Sequence, residues 1–188
     1  QALYSQRMIL TQFLDPHQQS IVESVIGHEL KVEADGGFDG AENKRVLIAP
    51  DFYEFEPEDF KVTVFQVDYN DTFGKLKHSD VLGALMHLGI KRQCIGDINE
   101  EPLSFACMTE NSDYIRMNLT RIKRSSIHLA ESKNRLSIQQ ETYTKTVIVS
   151  SLRLDKMVAQ LFGISRNKAV EAIRGQYVKL HYKVIEDI

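Results

Sequence analysis

The sequence predicts an α+β protein, and three observations carry that prediction. Between residues 59 and 149, apolar alternation with period two and apolar stripes of helical period follow one another in the order β-α-β-β-α-β. That order is the ferredoxin-like unit, which RRM domains share with many others. Ahead of it, residues 1–58 read as an α/β segment of helix, glycine-rich turn and short strand. Behind it, residues 150–188 read as a helix-turn-helix-strand module, expected to be partial (truncated) because the chain stops soon after its first strand.

In chain order, residues 4–30 read as helix, broken at Leu14-Asp15-Pro16, where Asp15 is the N-cap and proline takes the first helical position. Ile21, Val22, Val25 and Ile26 form its apolar stripe. Asp35-Gly36-Gly37-Phe38-Asp39-Gly40 is a turn. It lacks the Gly-Lys-Ser/Thr ending of a phosphate loop, and its two aspartates would repel phosphate. Arg45–Pro50 is a short buried strand, and Asp51–Phe60 an acidic, aromatic connection. Lys61–Tyr69 alternates as a strand. His78–Leu88 is a helix capped by Ser79 or Asp80, ended by Gly89, with Val81, Leu82, Leu85 and Met86 inward. Arg92–Ile98 and Leu103–Met108 are strands joined through Asn99–Pro102. Asn111–Lys123 is a helix with Tyr114, Ile115, Leu119 and Ile122 apolar, and Ser126–Leu129 returns as a strand. Residues 130–150, polar up to the apolar Val147-Ile148-Val149, read as a linker or hairpin leading to the basic module.

With 188 residues, 43% of them hydrophobic and 26% charged, the chain has ordinary globular composition and room for two or three small cores. No apolar run approaches the ~18 residues of a membrane span, and no signal peptide is visible, although the sequence begins at Gln1 rather than Met. Cys94 and Cys107 lie in apolar, strand-like runs without metal-ligand spacing, so both are expected reduced and buried in a cytoplasmic protein. The formal charge of −3 hides an asymmetry: residues 1–110 carry 9 basic against 19 acidic side chains, residues 111–188 carry 14 against 7. A basic end on a near-neutral chain points to a strongly anionic partner there, and the acidic half to protein partners.

Catalytic chemistry is not expected. His78-Ser79-Asp80 holds triad residue types, but sequence neighbours at a helix start cannot form a relay and capping explains them. The six histidines have no zinc-binding company, and Glu54, Glu56, Glu58 and Asp59 lack calcium-loop spacing. No cofactor or metal is implied.

The basic module concentrates the chemistry. Leu154, Val158, Leu161 and Phe162 stripe one short helix closed by Gly163. Ser165 caps a second, with Ala169, Val170 and Ile173 inward, and Val178–His181 alternates as a strand. Arg153, Lys156, Arg166, Lys168, Arg174, Lys179 and Lys183 face only Asp155 and Glu171. Guanidinium groups on a rigid helical pair can grip phosphates bidentately. In the central unit, Arg116, Arg121, Lys123 and Arg124 at the end of the second helix are secondary RNA-binding candidates. Phe65, Tyr69 and Phe105 could stack bases, but no RNP-like signature surrounds them and core packing explains them better.

Arg153-Leu154-Asp155 opening one helix, Ser165-Arg166-x-Lys168-Ala169 opening the next, and Gly175 before Val178-Lys179-Leu180 together resemble the RNA-binding module named after small-subunit ribosomal protein S-four. One departure is His181-Tyr182, where many members carry Asn-Gly. A longer likeness covers most of the chain. Phe13-Leu14-Asp15-Pro16, Gly36-Gly37-Phe38, Glu42-Asn43-Lys44-Arg45, His78 to Met86, Leu88 to Arg92, Ile95-Gly96-Asp97-Ile98 and Ser150 to Asp155 resemble, in this order, the bacterial YlmH family. The resemblance implies a non-catalytic RNA-binding protein encoded near cell-division genes and associated with the large ribosomal subunit. It implies a role in ribosome-associated quality control, with the S-four type domain between ribosomal RNA and peptidyl-site tRNA. Carried over by motif, Arg153 and Arg166 hold phosphates, and Lys156, Lys168, Arg174 and Lys179 assist. An RNA-modifying enzyme is the alternative, because such modules are appended to pseudouridine synthases and methyltransferases. Neither a synthase-like catalytic Asp nor a methyl-donor glycine loop is present. A cell-division interaction protein is a third reading.

Overall fold

Asp15 and Pro16 begin a helix as their chemistry requires. In the computed structural model, which describes residues 8–26, 30–138, 144–180 and 182–185, the Asp15 carboxylate accepts from the Gln18 amide at 2.9 Å. The Gln18 side chain accepts from the Asp15 amide at 3.0 Å, a reciprocal cap on helix α1 (Pro16–Val25). The helix expected before it is instead strand β1 (Ile9–Leu14). Its apolar pairs are spaced like a helical stripe, but β4 (Lys44–Pro50) offers them an antiparallel partner, Ile9 opposite Ile48 and Phe13 opposite Arg45. At the irregularity between Leu10 and Phe13, the Thr11 hydroxyl accepts from the Val46 amide at 2.9 Å, replacing a ladder bond. With β2 (Leu30–Asp35), these strands form a sheet in the order β1-β4-β2. The expected stripe of α1 is not buried: Ile21 and Val25 stand exposed.

The glycine cluster is a structural turn. A Cβ on Gly36 would lie 2.5 Å from the Asn43 carbonyl, and Gly37, at φ +83°, lies against Val62 and Val64. Just beyond, β3 (Phe38–Asp39) pairs in parallel with β10 (Leu136–Ser137). Arg135 clamps the turn. Its guanidinium donates to both Asp35 oxygens at 2.8 and 2.9 Å and to Asp39 at 2.6 Å. Both carboxylates are thus engaged in holding the turn, and two of them against one guanidinium leave it net negative.

The central sheet contains β5 (Val62–Tyr69), β6 (Ile95–Glu100), β7 (Leu103–Met108), β8 (Arg121–Ile122) and β9 (Ser125–Glu131). Its spatial order is β6-β7-β5-β9-β8, with antiparallel pairs throughout. Helices α2 (His78–His87) and α3 (Thr109–Asn118) supply Val81, Leu85 and Ile115 to a core with Phe65, Val67, Ile95, Phe105 and Ile122. Alternation along β5 sends Val62 and Val64 to the opposite face. There they meet Phe13, Phe38, Ala106, Leu136 and Ile138. Burying Phe13 and Phe38 contributes roughly 1.5–3 kcal/mol each. The first segment is thus packed onto the sheet face that helices leave open.

Three features fix that junction. Gly96 sits in the irregular stretch of β6, where a Cβ would fall 2.6 Å from the Phe13 ring. Asp97 beside it accepts from the amides of Glu42 at 2.6 Å and Asn43 at 3.1 Å. Arg45, only 3% exposed, donates to the carbonyls of Thr11 at 2.8 Å and Lys61 at 2.9 Å and pairs with Glu110 at 3.3 Å. The motifs Phe13–Pro16, Gly36–Phe38, Glu42–Arg45 and Ile95–Ile98 therefore meet at this interface.

Several element edges differ from expectation. Asp80 does cap α2, but from its third position, accepting from the Lys77 amide at 3.0 Å; Ser79 does not serve. Residues 92–94 form a 3-10 turn before β6. Helix α3 stops at Asn118, and residues 121–125 turn back as the β8–β9 hairpin, because Ile122 finds its burial in a strand pair with Ser125. Met86 and Tyr114 are exposed rather than inward. Cys107 is buried and Cys94 half-buried, both free thiols; burial pushes the Cys107 thiol up to about 12.

The chain divides into two compact units, 1–139 and 140–188. The second holds α4 (Leu154–Phe162) and α5 (Arg166–Arg174), followed by β11 (Lys179–Leu180) and β12 (Lys183–Val184). Gly163 ends α4 at φ +64°, and the Ser165 hydroxyl caps α5 by accepting from the Lys168 amide at 3.3 Å. Val158, Ala169 and Ile173 form its small core with Leu154, Ala159, Ile164 and Val178; Phe162 is exposed instead. A second strand, β12, closes a hairpin with β11. Tyr182, at φ +65°, adopts the left-handed turn conformation that Asn-Gly would favour; His181 lies outside the described residues.

Candidate nucleic-acid interface

Asp155 organises the basic surface. It lies in the first turn of α4 with its side chain fully buried. A lone buried carboxylate is costly, and two arginines compensate it. Arg153 donates through Nε at 3.1 Å and Nη2 at 3.3 Å, and Arg166 through Nε at 2.6 Å. The hydrogen bond from Arg153, then that from Arg166, hold the Asp155 carboxyl well below the usual range. Arg166 starts α5, so the triad also ties the two helices together across the Gly163 turn. Both arginine side chains are half exposed, 52% and 55%. A guanidinium has five donors, and these bonds engage two on Arg153 and one on Arg166. One carboxylate therefore aims two arginines while leaving a net positive charge and outward donors for a phosphate.

Among the other expected residues, Lys156 is tethered to the Ser150 hydroxyl at 3.0 Å. Lys168 in the first turn of α5, Arg174 in its last turn and Lys179 on β11 are exposed. Sequence reasoning missed two features. Asp155 is the anchor of this surface rather than a solvated counter-charge. Tyr177, 85% exposed, is also fixed in place. The Tyr177 amide donates to Ala172 O and the Gln176 amide to Ile173 O, both at 3.0 Å, the paired closure of a helix C-terminus. The left-handed position of that motif is occupied by Gln176 at φ +62°. Glycine stands one residue earlier, at Gly175, where a Cβ would lie 2.7 Å from the Tyr177 ring. The exchange of Gly and Gln relative to the turn's own preference was the readable signal.

In the first unit, Arg116 is committed internally: it pairs with Glu131 and Asp113 and lies 5.5 Å over the Phe65 ring. Lys123 pairs with Asp80 at 2.6 Å. Arg121, Lys123 and Arg124 sit on the β8–β9 hairpin rather than on α3, and Arg121 and Arg124 are exposed. Phe65 and Phe105 are fully buried with ring centroids 5.6 Å apart. The Tyr69 hydroxyl accepts from the Leu76 amide at 3.1 Å. Core packing accounts for all three. Among the described residues, no group of three or more His, Cys, Asp or Glu could hold a metal, and no helix is long and apolar enough to cross a membrane.

An α+β chain with a two-helix basic module defines the class to which the comparisons then give a family. Residues 56–135 match the family described as "Putative RNA-binding domain in YlmH". The "Ribosome-associated protein quality control protein P2" of Bacillus subtilis (strain 168) is 35% identical over 188 residues, spanning 96% of this chain and 72% of that protein. The solved "Cell division protein ylmH from Streptococcus pneumoniae" superposes with a TM-score of 0.60 at 27% identity, over 70% of this chain and 82% of that one. The chain belongs to the YlmH family.

Proposed function

We propose that this chain is a non-catalytic, cytoplasmic RNA-binding protein of the large ribosomal subunit that acts in ribosome-associated quality control. In this reading it contacts ribosomal RNA and peptidyl-site tRNA. The observation that carries it is the Arg153–Asp155–Arg166 triad, which prepays the ordering of two guanidinium groups and leaves donors at the surface. The name of the Bacillus subtilis relative supports the ribosomal context. Residues 1–58 and the ferredoxin-like unit at 59–149 serve as the body, and the S-four type module at 150–188 as the clamp. Arg153 and Arg166 hold phosphates; Lys156, Lys168, Arg174 and Lys179 add charge. Clamping two backbones releases counterions from both, so affinity falls steeply with salt.

Sedimentation through a sucrose gradient tests this. The chain is expected to co-migrate with large subunits, and Arg153→Ala plus Arg166→Ala to release it. Undiminished co-migration of that double variant would remove the site assignment. Loss of a modified nucleoside from bulk RNA in a deletion strain would favour the modifying-enzyme reading. Protein partners at the acidic N-terminal half are a second reading, favoured by the exposed Ile21 and Val25 of α1. Capture of a division protein that Ile21→Ser plus Val25→Ser abolishes would support it.

A further inference from the structure

If residues 56–135 bind RNA, the usual surface for a sheet of this order is not open to it. Base stacking needs exposed aromatics on the sheet face away from the helices. Here Phe65 and Phe105 point into the helical core, while Phe13, Phe38, Leu136 and Ile138 occupy much of the opposite face. What that face still exposes at β5 and β9 includes Asp68, Ser126 and His128, with no aromatic among them.

The first unit offers a different place. Phe73, Gly74, Lys75, Leu76, Lys123, Arg124 and Ser125 line a cavity of about 340 Å³, where the loop before α2 meets the tip of the β8–β9 hairpin. Its lining holds three cations and no acid. Phe73 is a large aromatic left 69% exposed beside them. Lys75 is shared with Glu101 and Lys123 with Asp80, but among the described residues Arg124 has no ionic partner. The hairpin tip is itself unusual. Ile122 pairs with Ser125, so Lys123-Arg124 is the whole loop, and Lys123 stands at φ +52° where glycine or asparagine is favoured. The chain accepts that backbone conformation and places two adjacent cations at the rim. The volume is at the lower end of the ~300–1,000 Å³ typical of small-ligand sites, suited to one nucleotide and too small for a duplex.

We propose that this cavity is a single-nucleotide subsite for unpaired RNA, with the base stacked on Phe73 and its phosphate held by Arg124, assisted by Lys75 and Lys123. The proposal rests on the RNA-binding reading but not on the second unit's triad, so the two can fail separately.

The test uses the 188-residue chain and a 4-thiouridine-substituted single-stranded oligonucleotide. Photo-crosslinking followed by peptide mass spectrometry is expected to find adducts within 73–76 and 121–125. Phe73→Ala is expected to weaken that oligonucleotide at least about fivefold, as loss of one stacked base does. Phe73→Tyr keeps binding because it keeps the ring. Arg124→Ala is expected to reduce the salt slope by about one. Double-stranded RNA, whose bases cannot reach the ring, is expected to be indifferent to Phe73→Ala. If Phe73→Ala and Arg124→Ala bind the oligonucleotide like the unchanged chain while Arg166→Glu loses it, the subsite is overturned and the triad stands. Loss of duplex binding in Phe73→Ala to the same degree would also overturn it.

Discussion

The two units use the same ion chemistry in mirror image. In the first, one arginine, Arg135, is divided between two carboxylates, Asp35 and Asp39, and the cluster is left with surplus negative charge. In the second, one carboxylate, Asp155, is divided between two arginines, and the surplus is positive. The first arrangement locks a glycine turn and offers nothing to an anion. The second locks a helix pair and presents guanidinium edges outward. Counting arginines cannot distinguish them; the ratio of partners at each cluster does.

The first unit's side of the contrast can be broken at its buried arginine first. Replacing Arg45 by Met strands the carbonyls of Thr11 and Lys61 and is expected to cost about 3 kcal/mol, read as a lower urea midpoint for the first unit with unchanged RNA affinity. Gly96→Ala presses a methyl group into the Phe13 ring and should cost ~1–3 kcal/mol by the same measurement. A stability change under about 0.5 kcal/mol in either variant would mean that the junction is not where this unit is held.

The mirror itself is sharpened by paired substitutions. Arg166→Ala is expected to weaken RNA binding about tenfold at low salt and to flatten the salt dependence by about one phosphate. Arg135→Ala should leave RNA binding unchanged when both variants are measured by filter binding; equal losses in both would dissolve the distinction. The smallest effect concerns acid. The folded Asp155 carboxyl titrates below its unfolded range, held down by Arg153 and then Arg166. Its contribution to the second unit is therefore present above about pH 4 and lost as pH falls further. Circular dichroism from pH 6 to 2 should show that dependence, and Asp155→Asn should reduce it, leaving the share of Asp35, Asp80 and Glu101, while lowering stability at neutral pH.

Much of this was readable from local chemistry. Asp15-Pro16, Gly163 and Ser165 set helix ends through bonds made within a few residues, and the alternation of Val62–Tyr69 marks a strand with two unlike faces. What escaped was decided at a distance. Ile9–Leu14 is spaced like a helix and becomes a strand because β4 lies some 35 residues away. Ile122 continues the stripe of Leu119 at helical spacing, yet the chain turns at Lys123-Arg124, a pair with no turn signature of its own. In the basic module the residue types were legible and the hierarchy was not. Asp155 is one acid among many cations, and only burial shows that it governs Arg153 and Arg166.

Arg45 spends two of its bonds on main-chain carbonyls, at Thr11 and Lys61. A carbonyl oxygen belongs to every residue type, so this fastening makes no demand on the side chain carried at position 61. Over evolutionary time that position is free to drift, toward Asn or Gly most easily given its left-handed backbone, while the guanidinium that reaches it is not. Variation at one end of a contact and fixity at the other is the pattern that relatives of this chain should show here.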